Sequence, residues 1–168
     1  MKKVALIFPG QGAQAVGMGQ ALYDSCPAAR EVFDQADAIL GNHLKEVIFS
    51  GPAERLTSTA YCQPAILTMS VAALRALAAH EKYAAIEPVF TAGLSLGEYA
   101  ALVAGGALSF EETLRLVERR SAFMEEAAQA HPGRMAAIIG LERGQIQTVC
   151  EQVGAGGANF NFPQKTVV

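Results

Sequence analysis

The chain alternates short apolar runs with longer stretches in which apolar residues recur every three or four positions. Val4-Ala5-Leu6-Ile7-Phe8 is uninterrupted and closes on Pro9-Gly10, the pattern of a buried central strand. From about Gly19 to Leu40 the spacing is helical, with Val32, Phe33, Ala36 and Ile39 on one face, and Cys26-Pro27 divides it into two helical pieces. Gln63-Pro64 opens a longer helix, with Pro64 at its first position and Ile66, Leu67, Val71, Leu74 and Leu77 as its apolar face. Pro88 to Ala92 is a second apolar run, Gly93 to Gly97 a turn, and Glu98 to Gly105 a helix rich in small residues. Ser109-Phe110-Glu111-Glu112 reads as a helix start with a capping serine and an acid at the third position. That helix runs to about Ala130 and ends at His131-Pro132-Gly133. Met135 to Ile139 then predicts a strand, Glu142 to Val153 a helix, and Ala158 onward an extended segment.

Strands alternating with helices predict an α/β fold with a parallel sheet. The 168 residues, 51% hydrophobic, are enough for a real core, and the absence of Trp with only 7% aromatics favours helices packed on a sheet over an all-β sandwich. The net charge of −3 excludes nucleic acid as the expected ligand, because neutralising phosphates needs a basic excess. Cys26, Cys62 and Cys150 are odd in number and widely spaced, which predicts three reduced thiols, no disulfide framework and no metal site. Met1-Lys2-Lys3 with its apolar run imitates a signal peptide, but the run is too short and stops at Pro9-Gly10. No stretch of about 18 apolar residues lacks polar interruption, so no membrane span is expected and the cytoplasm is the expected location.

Gly93-Leu94-Ser95-Leu96-Gly97 fits the G-x-S-x-G nucleophile elbow, in which glycines permit a sharp turn that lifts the serine hydroxyl clear of the sheet. An ordinary Gly-Ser turn would fit the five residues as well, but the strand before and the helix after are what an elbow needs. The loop Gly10-Gln11-Gly12-Ala13-Gln14 also leaves a strand, and adjacent parallel strands would bring it beside the elbow. Leu96 and Gln11 are the expected backbone donors of an oxyanion hole; losing one such donor typically costs about 100- to 1,000-fold in rate. The same loop loosely satisfies the dinucleotide G-x-G-x-x-G/A pattern, but the acids that follow, Glu31 and Asp34, lie in a helical stretch rather than at a strand end.

Arg120 has Leu116, Val117, Phe123 and Met124 as its helical neighbours, all apolar. A guanidinium so placed needs an anion, and its fork suits a carboxylate, either of a substrate or of a structural Asp or Glu. Arg119 is expected in solvent. A serine nucleophile needs a base, and the three histidines are His43 in a polar loop beside Asn42 and His80 and His131 near helix C-termini; all three read as structural or surface residues.

Taken together, Phe8-Pro9-Gly10-Gln11-Gly12, Gln63-Pro64-Ala65, Gly93-Leu94-Ser95-Leu96-Gly97-Glu98-Tyr99 and Arg120-Ser121-Ala122-Phe123-Met124 closely resemble malonyl-CoA:acyl-carrier-protein transacylases of type II fatty acid synthesis, in family order and spacing over the whole chain. The resemblance implies an α/β-hydrolase-like parallel sheet, with residues 1–130 as the N-terminal part of the large subdomain and 131–168 as an incomplete ferredoxin-like small subdomain. It implies that Ser95 takes a malonyl group from coenzyme A and passes it to the phosphopantetheine thiol of acyl carrier protein. Arg120 would hold the malonyl carboxylate, Gln11 and Leu96 the oxyanion, and Gln63 would support the site. No permanently bound cofactor is implied, with malonyl-CoA as substrate and neither nucleic acid nor membrane as partner. Leu94 departs from the histidine many members carry at this position, a change expected to alter packing or tuning around the serine more than the reaction. The chain is expected to be inactive or nearly so alone, because the family's catalytic histidine lies beyond the matched segments. Phe162-Pro163-Gln164-Lys165 departs from the family's usual order. The competing expectations are a serine esterase, which would not need Arg120, and a non-catalytic acyltransferase fragment.

Overall fold

The computed structural model describes every residue except Asn42, Pro163 and Gln164, so the polar loop at Asn42 and the irregular Pro163-Gln164 pair lie outside the described residues. The chain divides into two compact units, Met1–Ala127 and Ala128–Val168.

The first unit opens with strand β1 (Lys2–Phe8) and continues through helices α1 (Gln20–Ser25), α2 (Pro27–Leu40), α3 (Leu44–Ser50), α4 (Ala53–Thr57) and α5 (Thr59–Ala79). A 3₁₀ turn (Glu81–Ala85) leads to strand β2 (Ile86–Gly93), helix α6 (Leu96–Ala104) and helix α7 (Phe110–Ala130). β1 and β2 pair in parallel, with Phe8 opposite Gly93, so the loops that follow both strands leave the sheet at the same end. The register slips between Val4, opposite Pro88, and Ala5, opposite Phe90. Proline has no N–H to give to the ladder, and the skipped residue, Val89, turns outward.

The break at Cys26-Pro27 is where the sequence places it, with Pro27 as the first residue of α2 and Gly41 closing that helix at φ 63°. Ala29, Val32, Phe33 and Ala36 form its buried face. Phe33, Tyr23 and Phe49 pack edge-on or tilted with centroids 5.2 to 6.0 Å apart. Beside them Asp34 is bonded by Lys45 and by Tyr23; burial raises its pKa, but these two hydrogen bonds prevail and hold it below the ordinary value.

Four details differ from the sequence reading. The long helix begins at Thr59, so Pro64 lies inside it; the upstream turn is anchored where the Ser58 carbonyl accepts from Tyr61 and Cys62, and Pro64 forfeits a single internal hydrogen bond. α6 begins at Leu96 rather than Glu98. Short helices α3 and α4 fill the stretch between residues 40 and 63, with Leu44, Val47, Ile48 and Leu56 buried. In β1 only Phe8 is buried; Val4 and Leu6 share its half-covered side while Ile7 is 69% exposed, so the strand is covered on one face rather than two. α5 is long and apolar enough by composition to cross a membrane, but it packs against α2, α3, α4 and α6 as the core helix of this unit.

The second unit contains β3 (Ala137–Ile139), α8 (Arg143–Val153), β4 (Asn159–Phe162) and β5 (Lys165–Val167), with an antiparallel sheet in the order β3-β5-β4. This β-α-β-β order, first and third strands adjacent, is the ordering that opens a ferredoxin-like unit. α8 starts with a capping box between Glu142 and Gln145 and buries Ile146 and Cys150.

Candidate active site

The elbow forms because two glycines let three backbones share one small space. A Cβ on Gly93 would sit 2.0 Å from the Gly97 carbonyl carbon, and one on Gly97 would sit 2.3 Å from the Phe8 carbonyl oxygen. No side chain fits at either place. Between them Ser95 takes φ 52° and ψ −105°, a conformation that L-residues avoid and that strand-to-helix elbows use to expose a hydroxyl. Ser95 is exposed, while the Leu96 side chain beneath it is buried in the core. Leu94 contributes through its backbone: its carbonyl accepts from Gly97, and its side chain is 67% exposed.

Leu96 is the first residue of α6, so its N–H has no carbonyl one turn back to bond, and among the described residues it donates to none. The end of β1 lies directly beside this point, with the Gly10 Cβ position 3.0 Å from the Leu94 carbonyl oxygen. The loop carrying Gln11 is thereby brought against the elbow, and it is shaped by Gly12 at φ 104°, whose N–H donates to Gln14 Oε1 at 2.8 Å.

Arg120 reaches this place from α7. Its Nη2 donates to Ser95 Oγ at 3.0 Å, its Nη1 donates to Gln63 Oε1, and its guanidinium carbon lies 5.6 Å from the centroid of the Tyr99 ring on α6. Gln63, on α5, is completely buried, and its Nε2 donates to Met124 Sδ at 3.3 Å. Ser95, Gln63 and Arg120 are thus joined by hydrogen bonds, while Leu96 follows the serine directly and Gly10, the residue before Gln11, lies against the Leu94 carbonyl. Arg119 is exposed, as its place on the helix implies. Of the four apolar neighbours of Arg120 only Val117 is buried; Leu116, Phe123 and Met124 line an open groove with Arg119, Arg120 and Ala127. Among the described residues of this unit no carboxylate forms an ion pair with Arg120 and no histidine bonds Ser95; His80 Nδ1 accepts from the Lys82 backbone instead. Cys62, next to Gln63, is no rival nucleophile, because burial pushes its thiol pKa up despite a hydrogen bond from the Gly12 backbone. No cluster of three or more His, Cys, Asp or Glu side chains among the described residues could hold a metal.

Sequence reasoning did not find two of the groups here. Tyr99 entered only as part of a resembling motif, and Met124 only as an apolar neighbour of Arg120 and the last residue of another such motif. The i, i+4 step from Arg120 to Met124 was the available signal, since it puts the sulfur on the arginine's own face.

A parallel strand pair, a strained serine on the elbow and a guanidinium bonded to its hydroxyl frame this site, and the chain belongs to the acyl transferase domain family, whose model matches residues 5–168. It is 47% identical to the malonyl CoA-acyl carrier protein transacylase of Bacillus subtilis over 173 aligned residues, covering all of this chain and 53% of that protein. It is 43% identical to the protein of the same name from Escherichia coli K12, covering 55% of it. Among solved structures, the Clostridium perfringens malonyl CoA-acyl carrier protein transacylase superposes with a TM-score of 0.84 at 36% identity, over 99% of this chain and 52% of that one. A malonyl-transacylase solved in complex with its type II polyketide synthase acyl-carrier protein superposes with a TM-score of 0.86 at 37% identity, over 99% and 54%. The chain therefore spans about half the length of the relatives it matches.

Proposed function

We propose that this chain carries the nucleophile and the anion site of a malonyl-CoA:acyl-carrier-protein transacylase. The observation that supports it most is the 3.0 Å hydrogen bond from Arg120 Nη2 to Ser95 Oγ. In a malonyl thioester the free carboxylate is one methylene from the carbonyl that a nucleophile attacks. A cation one hydrogen bond from the serine is where that carboxylate would lie, and the planar fork of arginine suits it.

In this reading Ser95 Oγ attacks the thioester carbonyl carbon. The resulting oxyanion is met by the N–H groups of Leu96 and Gln11, the carbon–sulfur bond breaks, and coenzyme A leaves with its thiol reprotonated by the serine's proton. Reversal with the phosphopantetheine thiol of acyl carrier protein completes the transfer, with Gln63 holding Arg120 throughout. The proton needs a carrier. Neither His43 nor His80, the histidines of the serine's own unit, bonds Ser95, so transfer by these 168 residues on their own is expected to be slow, with the base supplied by the further length the relatives possess. The chain is read as needing no permanently bound cofactor.

Intact-protein mass spectrometry after incubation with malonyl-CoA tests this, alone and with the unmatched part of the Bacillus subtilis relative supplied in trans. A malonyl adduct on the wild-type chain that is absent from Ser95→Ala is expected. An adduct retained by Ser95→Ala, or none under either condition, contradicts the reading. Equal labelling by neutral acyl thioesters would point to the esterase alternative.

A further inference from the structure

Gln63 is a buried primary amide between two partners, each able to satisfy only one of its ends. The Arg120 guanidinium has donors and no acceptor, so it can bond only the carbonyl oxygen, Oε1. The Met124 thioether has no proton to give, so it can bond only Nε2, from which it lies 3.3 Å away. A donor on one side and an acceptor on the other leave the amide one satisfied orientation. Among the described residues Nε2 has no other acceptor, and with no exposed surface Gln63 has no ready water to replace one.

We propose that Met124 is a positioning residue for the anion site. Its sulfur fixes the Gln63 amide, the amide oxygen fixes Arg120 Nη1, and Nη2 is held beside Ser95 Oγ, where the carboxylate of an acyl thioester would meet it. The inference rests on the reading of Ser95 and Arg120 given above. One turn of α7 separates Arg120 from Met124, so a single helix face presents both, and α5 inserts Gln63 between them. Met124 is 43% exposed, so its apolar packing is slight, and leucine can replace it with little loss except the acceptor. Without the sulfur nothing anchors the NH₂ end of the amide, its carbonyl oxygen is held less firmly against Nη1, and the guanidinium is freer to move. Recognition of a carboxylated acyl group then weakens, whereas a neutral one is unaffected.

The test compares the wild-type chain, Met124→Leu, Gln63→Ala and the double variant, with the unmatched part of the Bacillus subtilis relative supplied in trans. Acylation of Ser95 by malonyl-CoA and by acetyl-CoA is followed by intact mass, and the Gln63 side-chain amide by ¹⁵N NMR. Loss of one neutral hydrogen bond predicts a fall of roughly five- to tenfold in the malonyl-to-acetyl ratio for Met124→Leu. The fall is expected in the half-saturating malonyl-CoA concentration rather than in the maximal rate, and it should vanish in the Gln63→Ala background. The Gln63 NH₂ protons should lose their protection from exchange. Equal falls with both thioesters, a fall that persists in Gln63→Ala, or unchanged Gln63 signals would overturn the proposal. If the wild type accepts no acyl group, the nucleophile reading fails by itself. The Gln63 signals then decide the positioning claim, lost protection upholding it and unchanged protection overturning it.

Discussion

α5 and α7 are both 21 residues long and each sends one polar side chain to the site, yet they are buried in opposite ways. α5 is covered on every side from Cys62 to Thr68, whereas α7 buries a single stripe of Phe110, Thr113, Leu114, Val117 and Ser121. The polar group in the enclosed helix, Gln63, must find its partners within the protein, and it does so in Arg120 and Met124. The charge on the half-open helix sits at the edge of the stripe, where its guanidinium can be held on one side and still face a ligand on the other. Enclosure thus supplies rigidity and the open edge supplies access, and a site for an anion needs both.

Truncating the two helices should separate these roles. Leu67→Ala in α5 removes a side chain that is 1% exposed, and a loss of about 3 kcal/mol in urea unfolding is expected. Thr68 is enclosed as tightly, but among the described residues its Oγ1 has no hydrogen-bond partner. Thr68→Val removes that unsatisfied hydroxyl while keeping the shape, and a gain of about 1 kcal/mol is expected in the same measurement. Phe123→Ala in α7 touches a ring that is 61% exposed, so stability should change by less than about 0.5 kcal/mol, in contrast to Leu67. A loss at Phe123 comparable to that at Leu67 would break the comparison.

The smallest expected effect is one of pH at the start of α7. Hydrogen bonds from the Ser109 hydroxyl and backbone N–H hold the Glu112 carboxyl below its ordinary value. A carboxylate lowered in the folded state contributes stability above its unfolded pKa, about 4.3, and the contribution is lost as the pH falls through the lower folded value. The stability difference between the wild type and Glu112→Gln should therefore be present at neutral pH and shrink in acid. A difference that grew in acid would contradict this assignment of the cap.

Much of the site could be read from the sequence because its parts are local. The elbow needs Gly93, Ser95 and Gly97 within five residues, and the apolar neighbours single out Arg120 on its helix, although only Val117 of the four is buried. The Ser109–Glu112 cap is legible for the same reason. What escaped reading depends on contacts between distant segments. Gln63 and Arg120 are 57 positions apart, and nothing in either helix alone tells which way the amide points. In β1 five apolar residues in a row carry no period, so the run alone does not show that Phe8 is the covered side and Ile7 the open one. α3 and α4 are short helices whose few apolar positions fall below what periodicity can separate from a loop.

The central claim is that Arg120 selects the acyl group Ser95 accepts, and competition between thioesters tests it most directly. Wild type and Arg120→Ala would be given malonyl-CoA and acetyl-CoA together, with the unmatched part of the Bacillus subtilis relative supplied in trans, and the adducts on Ser95 counted by intact mass. Loss of a charge-assisted bond to the carboxylate predicts a fall of about 10- to 100-fold in the malonyl-to-acetyl ratio, with acetyl labelling undiminished. An unchanged ratio would contradict the account, for Arg120 would then hold Ser95 without choosing its substrate.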